Sequence, residues 1–288
     1  FEEFNQKYSK EGISEDLSSR TYSARLLGSD PELVLHGGGN TSVKSSAVDL
    51  LGNKISVLHV KGSGWDLATI EPQGHPAVKL EPLIELKSLN QLSDEDMVSA
   101  QRQNLLNPNS PNPSVETLLH AFIPDKFIDH THSLAVLALA NQPNAAEICR
   151  KVFGTKVAIV PYVMPGFDLA KVAYQEYLKA KEYTVSKGHE LEGMILINHG
   201  IFSFGETAKS SYDRMIDLVN IAEKNLTRKI NLDLNIKIKT NSISAILLPY
   251  LRGLLIRTSK KYNANNKWIF DIRKNQSINE ILKSSDLS

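Results

Sequence analysis

Two apolar segments of this chain end in histidine, and this pattern restricts both its fold and its chemistry. The segment that starts at Phe127 carries His130 and His132, and the segment that starts at Met194 carries His199. Side chains at positions i and i+2 of a strand point to the same face of a sheet. Two imidazoles placed in this way can bind one metal ion, and a third from a neighbouring strand leaves an open position, as in catalytic zinc sites. The pattern therefore points to a metal-dependent enzyme.

A hydrogen-bonded structural role is the alternative for any buried histidine, and the chain contains eight histidines. The strand-end pattern by itself leaves metal binding and structural packing both open. The other five histidines lack such a setting, and for them we predict structural or surface roles. These five are His36, His59, His75, His120 and His189.

The composition indicates a globular protein with little net charge. Of the 288 residues, 41% are hydrophobic and 23% are charged, and the formal net charge is +1. Such a charge gives no field that would attract nucleic acid or an anionic membrane, so we expect neither partner. Cys149 is the only cysteine and cannot form an internal disulfide. A single cysteine suits a reducing compartment, so we expect a cytoplasmic location. This sequence also contains no long apolar run and no signal peptide.

Helical and strand patterns are mixed along the chain and include hairpins, which predicts an α/β sandwich around a largely antiparallel sheet. The predicted helices span 16–27, 94–106, 115–122, 134–140, 168–183 and 208–224, and the predicted strands include 55–60, 157–160 and the two histidine segments. Beyond about residue 228 the pattern changes, and we predict a helix over 242–256, a strand over 267–272 and a helix over 277–283. We therefore divide the chain into a head domain, residues 1–228, and a C-terminal appendage, residues 229–288.

A carboxylate stands shortly before the first histidine segment. Ser114 is expected to cap a helix over 115–122, with Glu116 in the first turn of that helix. A glutamate there is usually no more than a favourable partner for the helix dipole. This helix directly precedes the histidine segment, however, so Glu116 could lie beside a bound metal and move a proton there. If these histidines bind no metal, the helix-dipole role is the better interpretation of Glu116.

Two glycine-containing loops, residues 37–42 and 61–65, are candidates for binding an anion. Backbone N–H groups and hydroxyls in such loops can hold phosphate, although glycine clusters are more often plain turns. The sequence lacks the P-loop and dinucleotide-binding patterns. His36 and the three glycines after it resemble the oxyanion loop of some hydrolases, but no nucleophile motif G-x-S-x-G accompanies them.

The order of five motifs resembles that of the class II aldolase/adducin family, over roughly residues 10–225. The motifs are Gly39-Asn-Thr-Ser42, Lys61-Gly-Ser-Gly64, Pro113-Ser-Val-Glu116, His130-Thr-His132 and Asn198-His-Gly200. Lys61-Gly-Ser-Gly-Trp-Asp66 and Leu251-Arg-Gly-Leu254 also resemble one branch, the rhamnulose-1-phosphate aldolase/alcohol dehydrogenase proteins, which fuse an aldolase domain to a short-chain dehydrogenase. We therefore expect a free-standing or truncated aldolase half.

The resemblance implies the three-layer α/β/α sandwich of the class II aldolases, in a homotetramer with active sites at subunit interfaces. It matches His130, His132 and His199 to the family's ligands for zinc, or for another divalent metal, and Glu116 to its catalytic acid/base. Tyr162 lies where family aldolases carry a tyrosine that donates a proton in the site of a neighbouring subunit.

The resemblance also implies contacts to a sugar or sugar phosphate. The positions that match the family's substrate-phosphate contacts are Asn40, Ser63, Gly64 and Ser114. Lys61 could supply positive charge to a phosphate or a carboxylate nearby. The family usually has a second serine after the one matched by Ser114, and this chain has Val115 there. That departure weakens the case for a phosphorylated substrate.

The function implied is the reversible retro-aldol cleavage of a ketose, for example a ketose 1-phosphate of the rhamnulose or fuculose type, to a dihydroxyacetone-type fragment and an aldehyde. A metal-dependent epimerase or dehydratase of sugar phosphates is one alternative, because the same scaffold and metal serve those reactions. A non-catalytic interaction module like the adducin head is the other. Adducin heads lack the metal-binding histidines, so the histidines of this chain favour catalysis.

Overall fold

The computed structural model describes residues 1–49, 51–226 and 250–257. The chain divides into two units, Phe1–Thr227 and Arg228–Ser288, and the first contains all the candidate site residues. In the second, residues 250–257 are helical, in agreement with that part of the predicted 242–256 helix. The predicted strand over 267–272 and helix over 277–283 lie outside the described residues, and the division into head and appendage stays a prediction.

A mixed sheet forms the centre of the first unit. Within residues 1–226 its strands are β1 (Asn40–Val48), β2 (Lys54–Val60), β3 (Ala77–Lys79), β4 (Phe127–Thr131), β5 (Val157–Val160), β6 (Gly193–Leu196) and β7 (Gly200–Gly205). Their order across the sheet is β3-β2-β1-β4-β7-β6-β5. The β5–β6 pair is parallel and the other neighbouring pairs are antiparallel. This confirms the predicted, largely antiparallel sheet.

Helices cover both faces of the sheet. They are α1 (Glu2–Ser9), α2 (Glu15–Gly28), α3 (Leu80–Glu85), α4 (Asp94–Gln103), α5 (Thr117–Phe122), α6 (Leu134–Ala140), α7 (Ala145–Phe153), α8 (Phe167–Ser186) and α9 (Ala208–Asn225). Residues of α3, α4, α5 and α8 form one hydrophobic core with the sheet, and residues of α2, α6, α7 and α9 form another. The two cores lie on opposite faces, which confirms the three-layer α/β/α sandwich.

The alternation of side chains along β6 and β7 shows how the sheet supplies both cores. Met194 and Leu196 join the first core, while Ile195 between them joins the second. In β7, Ile201 joins the second core and Phe202 the first. Since both faces are covered, these strands read in the sequence as continuous apolar runs rather than as alternating ones.

The predicted helices 16–27, 134–140, 168–183 and 208–224 agree with α2, α6, α8 and α9 to within a turn, and the helix predicted over 94–106 ends earlier, at Gln103. Helices α1, α3 and α7 and strand β3 were not predicted. Most of these elements are short, and short elements depend on tertiary packing more than on local propensity. None of the described helices is long and apolar enough to cross a membrane.

A buried ion pair fixes the histidine strand against the helices of the second core. Asp129 of β4 accepts a hydrogen bond from Arg20 of α2 and another from the hydroxyl of Ser211 in α9. The side chains of Arg20 and Asp129 are fully buried. Because neighbouring residues of a strand point to opposite faces, Asp129 directed toward α2 leaves His130 directed toward the other side. The ion pair therefore sets which face of β4 carries the histidine.

Candidate metal centre

Three histidines meet at one end of the sheet. His130 lies near the end of β4, His132 follows that strand directly, and His199 lies in the turn between β6 and β7. The ring centroids of His130 lie 4.8 Å from His132 and 5.1 Å from His199, and those of His132 and His199 are 5.5 Å apart. One nitrogen from each ring lies within 4.8 Å of the others. The structure thus brings together the three histidines that the sequence predicts as metal ligands.

The protonation of His130 is set by a backbone carbonyl. Its Nδ1 lies 3.0 Å from the carbonyl oxygen of Ile201, which can only accept a hydrogen bond, so Nδ1 carries the proton. Burial lowers the pKa of His130 to about 3, so the ring is neutral at pH 7 and Nε2 presents a lone pair. That Nε2 lies 3.0 Å from Nε2 of His132. A ring nitrogen fixed by a backbone hydrogen bond on its other side is typical of metal-bound histidine.

The close approach of the β6–β7 turn to the histidine pair requires glycine at position 200. A Cβ atom added to Gly200 would lie 2.5 Å from the carbonyl oxygen of Thr131, 2.9 Å from Cε1 of His130 and 3.0 Å from Cδ2 of His132. These distances are shorter than ordinary van der Waals contacts. Gly200 therefore lets the turn carry His199 up against the other two imidazoles.

Glu116 directs its carboxylate into the same cluster. Its Oε1 lies 3.1 Å from Nε2 of His199, and its Oε2 lies 3.5 Å from Nε2 of His130. Burial alone would raise the pKa of Glu116, but the neighbouring His130 and the hydrogen bond and charge of His199 hold it below its ordinary value. Glu116 is the residue that precedes α5, not a member of its first turn as predicted, because the helix begins at Thr117. The Ser114 hydroxyl accepts the N–H of Glu116, at 3.3 Å, and so closes the turn before the helix.

The cluster fits a divalent cation. Nε2 of His130 lies 3.0 Å from Nε2 of His132 and 3.5 Å from Oε2 of Glu116, and lone pairs that meet in a buried space repel one another unless a proton or a cation lies between them. In addition, Nδ1 of His199 is buried without a hydrogen-bond partner among the described residues. In a tetrahedral zinc site, with Zn–N bonds of about 2.0–2.1 Å, two ligand nitrogens are about 3.3 Å apart, close to the spacing of the histidine pair.

The first glycine loop and Lys61 border the cluster. Nζ of Lys61 donates a hydrogen bond of 2.5 Å to the carbonyl oxygen of Gly37. Burial lowers the pKa of Lys61, and the carboxylates of Asp66 and Glu116 partly offset that effect. The charge of Lys61 in turn contributes to the lowered pKa of His132. Lys61 is therefore close enough to the cluster for its charge to act on a bound anion.

Profiles of known families identify the domain. The class II aldolase and adducin N-terminal domain matches residues 21–226. The chain belongs to the class II aldolase and adducin family. The N-terminal class II aldolase domain of a conserved protein from Thermoplasma acidophilum is 40% identical, with a TM-score of 0.67 over 74% of this chain and 94% of that one. A sugar-phosphate aldolase from Thermotoga maritima is 18% identical and shares the fold with a TM-score of 0.52. The superposition covers 75% of this chain and 97% of that aldolase.

A longer relative is also found among curated proteins. The uncharacterized oxidoreductase YuxG of Bacillus subtilis is 36% identical over 210 residues, which are 73% of this chain and 29% of YuxG. This chain thus spans less than a third of the length of that relative. An oxidoreductase that contains an aldolase-type domain is consistent with the branch in which such a domain is fused to a dehydrogenase. The family resemblance seen in the sequence is confirmed.

The residues predicted as substrate contacts have different surroundings. Asn40 pairs with His130 across β1 and β4, and its Nδ2 donates to Glu116 and, at 3.3 Å, to the hydroxyl of Ser114. The N–H of Ser63 is bonded to the carbonyl of Asn112 at 2.7 Å, which leaves the Ser63 hydroxyl, rather than its N–H, for a ligand. Gly64 has φ +86°, and no atom lies within 4 Å of where its Cβ would be.

Two further side chains lie on the surface. Val115 is 56% exposed, so the residue that replaces the family's second serine presents an apolar group to solvent. Tyr162 is 54% exposed, and its hydroxyl lies 3.9 Å from the sulfur of Met164. The described contacts of Tyr162 do not include Glu116 or the three histidines of the same chain. Its predicted role in a neighbouring subunit stays a prediction.

His120 is the buried residue whose setting the sequence analysis missed. We predicted a structural or surface role for it, and it is fully buried between β1 and the cluster. Its Nε2 is hydrogen-bonded to Oδ1 of Asn40, and its Nδ1 lies 2.7 Å from the hydroxyl of Ser42. The sequence signal is the spacing of four from Glu116, which places both residues on one side of a helix.

Proposed function

We propose that this member of the family is a metal-dependent lyase that reversibly cleaves a ketose between C3 and C4. The supporting observation is the convergence of three imidazoles with the carboxylate of Glu116, whose Oε1 lies 3.1 Å from Nε2 of His199. Neutral histidine nitrogens with an adjacent carboxylate can both hold a metal and exchange a proton beside it. The assignment of zinc, or of another divalent metal, is part of the proposal.

His130, His132 and His199 would hold the ion. When bound, it supplies Lewis-acid polarisation of the ketose carbonyl and the adjacent hydroxyl, which stabilises the negative charge that develops as the C–C bond breaks. The burial of His130 and the backbone hydrogen bond on its Nδ1 keep its Nε2 free of a proton at neutral pH. His130 is therefore ready to bind a metal ion without first losing a proton.

Glu116 would act as the acid/base. In cleavage the hydroxyl at C4 loses a proton, the C3–C4 bond breaks to release an aldehyde, and C3 of the remaining fragment gains a proton. The protonated form of Glu116 would deliver the proton to C3, and its carboxylate would remove that proton in the reverse direction. Exchange with solvent would restore the proton on Glu116 after each cleavage. Asn40 holds Oε2 of that carboxylate by a hydrogen bond, which leaves Oε1, 3.1 Å from Nε2 of His199, as the oxygen that would exchange the proton.

The far end of the substrate would lie against the two glycine loops. The charge of Lys61 and the hydroxyls of Ser63 and Ser114 suit a phosphate or another anionic group, with the Gly64 backbone leaving space for it. Val115 supplies an apolar surface where a second hydroxyl would strengthen phosphate binding. We propose a sugar or sugar phosphate as the substrate class, and product analysis must separate the phosphorylated from the free ketoses.

We also propose a homotetramer in which Tyr162 of one subunit completes the site of the next. In that arrangement its phenolate form would accept the proton of the C4 hydroxyl during cleavage, and its hydroxyl would donate a proton to the aldehyde oxygen in the reverse direction. The exposure of Tyr162 on the free chain leaves it available for such a contact. A cytoplasmic location remains part of the same proposal. Sedimentation analysis of the purified protein measures the oligomeric state directly.

The experiment that tests the function combines elemental analysis with a substrate panel. Purified protein should contain close to one divalent ion per chain, and chelation should abolish aldehyde release from at least one ketose or ketose 1-phosphate. His130→Ala should lose both the ion and the activity, while the surface variant His189→Ala should keep both. Full metal occupancy in His130→Ala would show that the ligand assignment is wrong. Turnover without any shorter fragment would instead identify an epimerase or dehydratase, and inactivity with no metal bound would favour an interaction module.

A further inference from the structure

We infer that His120 is a positioning residue that fixes the amide of Asn40 and, through it, the carboxylate of Glu116. The hydrogen bonds of its ring go to Asn40 and Ser42 of β1, and it acts on Glu116 through the side chain of Asn40. The kinetic part of this inference rests on the proposed function, whereas the hydrogen-bond arrangement does not.

The side chains of Asn40 and Ser42 fit against those of Glu116 and His120 because the strand and the helix space each pair by a similar distance. Alternate residues of a strand lie about 6.6–6.8 Å apart, so Asn40 and Ser42 stand on one face of β1 at that distance. Residues i and i+4 of a helix are separated by a rise of about 6 Å, which applies to Glu116 and His120. The two pairs face each other and interleave. The hydrogen-bonded order is Ser42, His120, Asn40 and Glu116.

Helix α5 is held at this register by Lys44, the next residue of the same face of β1. Its Nζ donates 2.8 Å to the carbonyl oxygen of His120 and 2.9 Å to that of Asp125. The first bond satisfies a carbonyl oxygen in the last turn of the short helix, where the helix itself supplies no donor, and the second holds the segment that follows it. The backbone of His120 therefore has a fixed position over β1, and its ring is placed between Asn40 and Ser42.

The direction of the hydrogen bonds follows from the chemistry at the Glu116 end. An ionised carboxylate accepts only, so Asn40 must turn its NH₂ group to Glu116 and its carbonyl oxygen to His120. Nε2 of His120 must then carry a proton to donate, and Nδ1 accepts from the hydroxyl of Ser42. Because burial also lowers the pKa of His120 to about 3, the ring stays neutral with its proton on Nε2.

Loss of His120 would leave the amide of Asn40 without this constraint. The carbonyl oxygen of Asn40 would then be buried without its hydrogen-bond donor. The amide would shift toward another donor, and its NH₂ group would no longer hold Oε2 of Glu116 in place. The expected consequence is a lower rate of proton transfer with little change in metal binding or substrate affinity.

Kinetics of three variants tests this role. His120→Leu removes the donor, and His120→Gln keeps an amide N–H able to reach the position of Nε2. We expect kcat to fall by about 10- to 100-fold in the leucine variant, as for other residues that orient catalytic groups, with KM and metal content changed less than about threefold. The glutamine variant should recover most of kcat. The matched control is His75→Leu, which removes another buried histidine, bonded to Thr41 on the opposite face of β1.

Nitrogen NMR on the wild-type protein gives a readout that needs no enzymatic activity. The protein is labelled with ¹⁵N histidine, and the signals of the His120 ring are identified by their absence in His120→Gln. From pH 6 to 8 these signals should show that Nε2 is protonated and Nδ1 is not. A protonated Nδ1 would overturn the inference even if the protein proves to be an aldolase. Equal kcat in His120→Leu and the wild type, or loss of kcat in His75→Leu as large as in His120→Leu, would overturn it too. Absence of aldolase activity in the wild type would refute the proposed function and leave the NMR result as the test.

Discussion

Replacement of Gly200 by alanine should weaken metal binding by a predictable amount. The new Cβ would lie 2.5 Å from the carbonyl oxygen of Thr131, 2.9 Å from His130 and 3.0 Å from His132. Comfortable carbon contacts are about 3.5–4.0 Å, so the turn and both imidazoles must shift by several tenths of an ångström or more. Overpacking of this kind costs about 1–3 kcal/mol.

The division of that cost between folding and metal binding decides the expected affinity. If the imidazoles move away to relieve the contacts, they must return to bind the ion, and the strain then opposes binding. A tenfold loss of affinity corresponds to about 1.4 kcal/mol, so the metal dissociation constant should rise about 10- to 100-fold. Competition between the protein and a chelating dye for Zn²⁺ measures this constant directly.

The control for this prediction is Gly193→Ala, on the neighbouring strand β6. Its Cβ would lie 2.4 Å from the carbonyl oxygen of Phe202 and 2.8 Å from a methyl group of Leu218, and it would meet no histidine atom directly. Both variants should lower the free energy of unfolding of the metal-free protein, and only Gly200→Ala should lower the metal affinity. Equal metal affinity in Gly200→Ala and the wild type, with the protein folded, would refute the reasoning.

Three further predictions follow from buried groups. Burial lowers the pKa values of His120 and His130 to about 3, so the folded state binds fewer protons than the unfolded state between about pH 3 and 6.5. The free energy of unfolding of the metal-free protein, measured with urea, should therefore fall as the pH is lowered through that range. A free energy of unfolding that does not change with pH would contradict this. Burial raises the pKa of the Cys149 thiol to about 11, so a thiol reagent at pH 8 should label it only as the chain unfolds, and labelling as fast as that of free cysteine would count against its burial. Asp129→Asn should cost about 3–5 kcal/mol in urea unfolding because it leaves a buried guanidinium without its charged partner, whereas loss of the exposed ion pair in Lys209→Ala should cost less than about 1 kcal/mol.

Much of the sheet was predictable from local patterns. The strands over 55–60, 157–160 and the two histidine segments appear where apolar residues predict them, because each is buried on at least one face. The start of α5 was placed too early, since Ser114 is separated from the helix by Glu116 and Val115. A serine three residues before the first residue of a helix is easily mistaken for its cap when only the sequence is read.

The candidate metal ligands could also be predicted from the sequence, but the residues that surround them could not. The spacing of His130 and His132 places them on one side of a strand end by the geometry of the chain alone. Their meeting with His199 depends on β4 and β7 being neighbours, a pairing between residues about 70 positions apart. A local pattern carries no information about such a pairing, and only the order of the family's motifs suggested it.

The sequence by itself determined the secondary-structure pattern, the histidine pair and the family, because these depend on local geometry and on residues close together in the chain. Only the tertiary structure decided the environment of Glu116 and the role of His120. That environment arises where α5 crosses β1, so that Asn40 and Ser42 meet side chains more than 70 residues away. A histidine in a short apolar helix is indistinguishable in sequence from a packing residue. Its hydrogen-bond partner Asn40, which comes from a distant strand, connects His120 to Glu116.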